Sequence, residues 1–194
     1  MTNPIKLGIA GLGTVGIGVV KIIQQKAETL KARTGRKIEI VAVSAKSKNK
    51  DRGIDLRMYD WESDPVTLAN RKDIDIFVEL IGGHVGAAKN SIFAAIDNDK
   101  HIVTANKALL AHHGQQLAEK TENKNKLLRF EAAVAGGIPV IKALTEGLAG
   151  NSLTRVVGVM NGTCNYILTR MQSSGLSYDE IFKEAEALGY LEAD

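Results

Sequence analysis

The stretch KLGIAGLGTVG, Lys6 to Gly16, decides how the rest of the chain is read. Residues 6–10 are a short apolar run stopped by glycine, the pattern of a buried strand. Gly11-Leu12-Gly13-Thr14-Val15-Gly16 then spells G-x-G-x-x-G. From Thr14 to about Arg33, Val15, Val19, Ile22, Ile23, Ala27 and Leu30 recur at helical spacing, and Gly35 is placed to end one helix. A glycine string alone is a weak signal, but between a strand and a helix it has work to do. Gly11 permits the tight turn, Gly13 lets the backbone approach a pyrophosphate, and Gly16 lets helix and strand pack closely. Thr14 and Val15 open the helix, whose free N–H groups and partial positive charge suit phosphate. The bland alternative is a glycine turn that binds nothing.

Further along, apolar strand patterns alternate with helical ones. Residues 38–45 read as the second strand and 46–52 as a basic turn; 53–71 is irregular, punctuated by Asp64-Pro65. A strand over 73–81 ends at Gly82-Gly83, where bare backbone can lie against a ligand. A helix follows over 87–97, a strand over 101–105 and a helix over 108–123. Strand patterns over 127–133 and 153–160 and helical patterns over 139–149 and 165–171 complete the middle. Ser177 with Glu180 makes a capping box for the last helix, and Gly189 stands where it stops. Alternating elements with uniformly apolar strands predict α/β architecture: a Rossmann-type doubly wound parallel sheet covered on both faces.

Composition narrows the function classes. Of 194 residues, 44% are hydrophobic and 24% charged, a globular balance that argues against disorder, collagen and coiled coil. A formal charge of +3 does not call for nucleic acid. No apolar run approaches the roughly 20 residues that a membrane helix needs, and the N-terminus lacks the features of a secretory signal. The single cysteine, Cys164, excludes an internal disulfide and suits a reducing cytoplasm, so the Asn161-Gly162-Thr163 sequon is not expected to be used. Cys164 is read as buried and structural.

The end of the second strand bears on the cofactor. A carboxylate there would hold the ribose hydroxyls of NAD, but Ser44, Lys46, Ser47 and Lys48 stand there instead. Hydroxyl and ammonium groups suit the 2′-phosphate of NADP, so the turn predicts NADP(H) in preference to NAD(H). The alternative is a solvated basic turn. Asp51, flanked by Lys50 and Arg52, is not assigned to ribose.

GLGTVG at 11–16, ELIGG at 79–83, TANKALL at 104–110, EAAVAGGIPVI at 131–141, MNGTCNYIL at 160–168 and GYLEAD at 189–194 follow one another in order. Together they resemble homoserine dehydrogenase over essentially the whole chain. Many relatives carry Arg-Asp after the second strand where this chain has Lys46-Ser47, which strengthens the NADP expectation. The resemblance implies a nicotinamide-dependent interconversion of L-aspartate 4-semialdehyde and L-homoserine on the way to threonine and methionine. It also implies a dinucleotide-binding domain over 1–131 and the start of an α+β catalytic domain over 132–194. In the family, that second domain also dimerises, so a homodimer is expected of the full-length enzyme. An ACT domain often follows. A substrate-binding aspartate and the lysine usually assigned as proton donor lie beyond GYxEADP in the family, so the chain reads as an N-terminal portion, inactive alone. The rival reading is a stand-alone Rossmann module that binds a dinucleotide as sensor or partner without catalysis.

Lys107, in Thr104-Ala105-Asn106-Lys107, follows a strand end, where open α/β sheets bind ligands. A lysine there can hydrogen-bond a carbonyl oxygen that gains charge during hydride transfer. The resemblance places Thr104, Lys107, Gly82, Gly83 and Gly189 at the cofactor and Glu192 at the substrate's amino group. It also implies a monovalent cation, Na+, at Glu131, Val134, Gly136 and Ile138, with one carboxylate and main-chain carbonyls as hard oxygen donors. His84, His101, His112 and His113 read as structural or solvated.

Overall fold

β1 (Ile5–Ala10), β2 (Ile38–Ser44), β3 (Asp60–Glu62), β4 (Ile76–Glu79), β5 (His101–Thr104) and β6 (Leu128–Arg129) form one sheet in the order β3-β2-β1-β4-β5-β6. Every neighbouring pair is parallel. The computed structural model describes residues 3–158 and 161–188, which fall into two units, 1–147 and 148–194. The sheet lies in the first. Its strand order is that of doubly wound dinucleotide folds. The chain runs outward from β1 to β3 and then returns to lay β4 on the other side of β1. The carboxyl ends of β1 and β4 therefore border the switch point, where such folds bind ligands.

Successive residues of a strand face opposite sides of the sheet, and both sides here are apolar. Ala42, Phe77 and Ile102 share one core with Leu68, Ile92, Ile96, Leu109 and Leu117. Those partners come from α3 (Pro65–Asn70), α4 (Ala87–Asp97) and α5 (Lys107–Asn123). Ile9, Val43 and Val78 point the other way, into a core with Val20 of α1 (Thr14–Gln25). Helices on both faces explain why the strands read as continuously apolar.

Several sequence expectations need correcting. The first helix is not continuous to Arg33: it bends at Lys26 and resumes as α2 (Ala27–Thr34), which buries no residue. Backbone bonds from Lys26 N–H to Ile22 O and from Leu30 N–H to Lys26 O run through the bend. Beyond Ile23 only Ala27 and Leu30 continue the apolar stripe, so little packing holds the axis straight. Gly35 ends the helix as expected, at φ 72. The stretch read as irregular contains β3 and α3; Asp64 caps α3, its side chain accepting from Val66 N–H, with Pro65 in the first turn.

The strand expected over 127–133 shrinks to the edge strand β6. Phe130 leaves the extended region (φ −146, ψ 29), and α6 (Glu131–Val134) begins. The helix expected over 139–149 is the short α7 (Val140–Lys142) followed by a π-helical turn, Ala143–Gly147. There Thr145 Oγ1 donates to Ile141 O at 2.9 Å, competing with the helical ladder.

In the second unit, residues 153–158 form no strand, and 159–160 lie outside the described residues. A strand needs a neighbour for its N–H and C=O groups, and none pairs with this segment among the described residues. α8 (Gly162–Ser174) starts three residues earlier than expected because the Asn161 side chain accepts from Cys164 N–H. It packs on α9 (Tyr178–Ala187) through Ile167, Ile181 and Ala185. The Ser177–Glu180 capping box is present. Cys164 is exposed, not buried: it stands in the first turn of α8, about one turn before Ile167, where the packing against α9 lies. No helix among the described residues is long and apolar enough to cross a membrane.

β5 carries a pH-sensitive contact. His101 Nδ1 accepts from Leu127 N–H at 3.1 Å, tying β5 to the chain entering β6. Burial, seconded by Lys126, holds the imidazole below its ordinary value of 6.5. The unfolded chain therefore takes up this proton first as pH falls. The contribution of His101 to stability is complete above the ordinary value and is lost as pH falls through the folded one. Denaturant midpoints should drop between pH 7 and pH 5, and the drop should be smaller in His101→Asn, whose amide oxygen can accept the same N–H. An equal drop in the variant would show that other groups set the acid limb.

Candidate dinucleotide site

The glycine loop connects β1 to α1 at the carboxyl edge of the sheet. Gly11 N–H donates to Ser44 O at 2.9 Å, and Leu80 N–H donates to Ala10 O at 2.7 Å, so the loop is stitched to the ends of β2 and β4. Gly11 has φ 99, and a Cβ there would stand 2.2 Å from Leu80 O. A Cβ at Gly16 would stand 2.0 Å from Gly11 O. A Cβ at Gly13, by contrast, would meet nothing within 4 Å. Two glycines thus serve close internal packing and the middle one faces open space. The first helical bond runs from Ile17 N–H to Gly13 O, so the N–H groups of Thr14, Val15 and Gly16 precede any intrahelical acceptor. No acidic residue occupies this first turn. The arrangement fits an anionic group lying across Gly13.

A cleft of about 420 Å³ opens here. Its walls are the glycine loop (Gly11, Leu12, Gly13), the region after β2 (Ser44, Ala45, Lys46, Ser47, Lys50, Arg52), Ser63 and Pro65, and the end of β4 with Leu80, Ile81 and Ala87. Lys46 and Ser47 line it. Lys48 does not; it lines an adjoining groove with Lys50, Arg52 and Trp61. In that groove Asp55 is pulled down to about 2, chiefly by its hydrogen bond from Arg57. Asp51 is not among the residues lining this cleft; its side chain accepts from Gly53 N–H.

Arg52, which sequence reading passed over, organises the basic turn. Its guanidinium donates to Leu12 O (3.3 Å), Lys50 O (2.9 Å) and Ser47 O (2.7 Å), with the Trp61 ring centroid at 5.4 Å. It therefore ties the glycine loop to the turn that carries Ser47.

On the other side of the switch point stands Glu79, the last residue of β4, fully buried. Its Oε1 accepts from Ile81 N–H (2.8 Å), Gly82 N–H (3.2 Å) and Asn106 Nδ2 (3.4 Å), and its Oε2 accepts from Thr104 Oγ1 (2.6 Å). Asn106 Nδ2 also donates to Gly83 O at 2.7 Å, while its Oδ1 caps α5 by accepting from Leu109 N–H. One network thus joins the Gly82-Gly83 loop to the start of α5. Lys107 is the first residue of that helix and is exposed. Thr104 is buried with its hydroxyl committed to Glu79, so it supports the site from below and does not line the cleft. Gly82 and Gly83 have φ 86 and 78 and leave room for a side chain. An acid closing an apolar strand, Ile-Phe-Val-Glu before Gly-Gly, was the available signal for Glu79.

At the third glycine turn, the Glu131 carboxylate accepts from Ile141 N–H (2.8 Å) and Lys142 N–H (2.9 Å). Gly137 makes the turn at φ 78. Val134 and Ile138 are exposed. Gly189 and Glu192 lie outside the described residues. His84 and His112 stack with ring centroids 4.1 Å apart, and His113 Nε2 lies 3.2 Å from His84 O. Among the described residues no group of three or more His, Cys, Asp or Glu side chains is placed to hold a metal.

A parallel sheet in this strand order, with a G-x-G-x-x-G loop at its switch point, defines the class of Rossmann-type dinucleotide-binding proteins. Comparison with known proteins gives the family. The model described as homoserine dehydrogenase, NAD binding domain, matches residues 11–131, and the one described as homoserine dehydrogenase matches 139–194. Homoserine dehydrogenase of Neisseria gonorrhoeae is 48% identical over 192 residues, 99% of this chain and 44% of that protein. That of Pseudomonas aeruginosa is 44% identical over the same shares. The crystal structure of a homoserine dehydrogenase from Thiobacillus denitrificans aligns with a TM-score of 0.90 and 42% identity, covering 99% of this chain and 44% of that one. The Staphylococcus aureus structure at pH 7.5 aligns with a TM-score of 0.80 and 34% identity, over 100% and 45%. The chain belongs to the homoserine dehydrogenase family. It spans less than half the length of these relatives.

Proposed function

We propose that this chain forms the cofactor-binding part of an NADP(H)-linked oxidoreductase that interconverts L-aspartate 4-semialdehyde and L-homoserine. Residues 1–131 are the dinucleotide domain in this reading, and 132–194 begin the catalytic domain. The observation that carries it is the open face at Gly13, set between close-packed Gly11 and Gly16 at the switch point. A pyrophosphate laid there meets the N–H groups of Thr14, Val15 and Gly16 and the positive end of α1. Lys46 and Ser47, on the wall after β2, take the 2′-phosphate; Lys50 and Arg52 add charge to the same wall. Lys48, in the adjoining groove, adds longer-range attraction.

When bound, the reduced cofactor supplies a hydride to the aldehyde carbon, and the oxygen takes a proton to become the alcohol. Lys107, at the helix start beside the Gly82-Gly83 loop, hydrogen-bonds that oxygen as charge develops on it. Gly189 and Glu192 belong to this reading at the cofactor and at the substrate's amino group. A monovalent cation would be held chiefly by the carbonyls of Val134, Gly136 and Ile138, because the Glu131 carboxylate already accepts two N–H groups. A homodimer and a cytoplasmic location complete the proposal. Matches to both parts of the family give no support to a stand-alone module.

Titrating the chain with NADPH and NADH tests the cofactor assignment; tighter NADPH binding is expected. Ser47→Asp sets a carboxylate against the 2′-phosphate and towards the ribose hydroxyls, so the preference should swing towards NADH by about tenfold, or 1.4 kcal/mol. Unchanged affinity for both cofactors in Ser47→Asp would remove this turn from ribose recognition.

A further inference from the structure

We propose that Glu79 acts as a positioning residue whose buried charge favours the oxidised cofactor over the reduced one. The proposal rests on the dinucleotide reading given above and adds a property of the site that the motif does not require.

The contacts of Glu79 are of one kind. Three N–H groups converge on Oε1 and one hydroxyl on Oε2, and every one is a donor. The Thr104 hydroxyl donates to Glu79 Oε2, and its oxygen accepts from Asn106 N–H at 3.0 Å. An ionised carboxylate only accepts, and it suits such a surround. Among the described residues no Lys, Arg or His side chain hydrogen-bonds to Glu79 or pairs with it. Burial of a carboxylate is costly and is normally offset by a cation or by hydrogen bonds; here hydrogen bonds alone do it. The fold thus sets a carboxylate, held by donors with no cation beside it among the described residues, at the carboxyl end of β4.

The position of that charge gives it a consequence. With the pyrophosphate at the start of α1 and the 2′-phosphate at the turn after β2, the rest of the dinucleotide extends over β4 and β5. Glu79 ends β4 and holds both loops that flank this path, the Gly82-Gly83 turn and the Asn106 cap of α5. The nicotinamide ring carries a positive charge when oxidised and none when reduced. A fixed carboxylate under this half of the site attracts one redox form and is nearly indifferent to the other. Shielding from water strengthens that difference.

A structural role and an electrostatic one separate in a ratio. Loosened loops weaken both cofactor forms alike, whereas loss of the charge weakens only the oxidised one. Dissociation constants for NADP+ and NADPH should be measured by calorimetry on the chain and on Glu79→Gln, with thermal melting as the check on folding. In the variant the ratio Kd(NADP+)/Kd(NADPH) should rise about fivefold. In Glu79→Asp, which keeps the charge, it should stay near the wild-type value. Ile81→Lys, which keeps the main-chain N–H that Glu79 accepts and adds a cation two residues away, should move the ratio in the same direction as Glu79→Gln. An unmoved ratio in folded Glu79→Gln, or in Ile81→Lys should Glu79→Gln fail to fold, overturns the proposal. Failure of the wild-type chain to bind either form would instead sink the dinucleotide reading itself.

Discussion

Gly16→Ala is expected to lower the stability of the first unit by about 3 kcal/mol, the upper range for a side chain forced into a filled space. The added Cβ would lie 2.0 Å from Gly11 O, a main-chain atom with no rotamer to change. Relief requires lifting the start of α1 away from the end of β1, and that junction is fixed elsewhere. Gly11 N–H is bonded to Ser44 O, and Gly11 packs against Leu80 O. The matched control lies three residues earlier. Gly13 has ordinary extended backbone, φ −80 and ψ −162, and open space around it. Gly13→Val should therefore cost less than about 1 kcal/mol, much of it a poorer N-cap, yet weaken NADPH binding at least about tenfold. Denaturant unfolding and cofactor titration on both variants check the pair. Gly16→Ala as stable as wild type would refute the packing described, and full NADPH affinity in folded Gly13→Val would refute the site.

That contrast shows what was legible in the sequence. The close packing at Gly11 and Gly16 and the open space at Gly13 are local features, spaced along one turn, that the pattern alone anticipates. The same holds for α4, α5 and the Ser177–Glu180 box, whose signals lie within a few residues. Asp64-Pro65 is also a local helix-start signal; taken as punctuation alone, it leaves α3 unannounced. Residues 153–158 failed for a different reason. Leu153, Val156 and Val157 have strand composition, but a strand exists only with a partner, and none pairs with them among the described residues. At the site, Arg52 and Glu79 were illegible because their roles depend on distant segments. Arg52 reaches Leu12 O across 40 positions, and Glu79 meets Thr104 across 25. Thr104 ends β5 as expected, but its burial and its bond to Glu79 appear only once β4 and β5 lie side by side.

The other large effect is expected at Lys107. Its position is poor for a surface lysine, because the positive end of a helix disfavours a cation in its first turn. It is good for chemistry. Asn106 fixes the helix start through its cap on Leu109 N–H and its bond to Gly83 O, so the main chain at Lys107 is anchored to the loop that ends β4. When hydride reaches the aldehyde carbon, the oxygen takes up an electron pair, and an ammonium fixed nearby lowers the energy of that charge more than it lowers the energy of the neutral carbonyl. Loss of one such donor is worth roughly a hundredfold in kcat. The measurement calls for a protein of the relatives' full length, for instance this chain continued by the corresponding part of the Neisseria gonorrhoeae enzyme. In that protein Lys107→Ala should lower kcat on the order of a hundredfold while NADPH still binds. The 194-residue chain, tested beside it, should bind NADPH and turn over negligibly. Wild-type turnover in Lys107→Ala would take the lysine out of the reaction, and full turnover by the 194-residue chain would place every group the proton transfer needs within it.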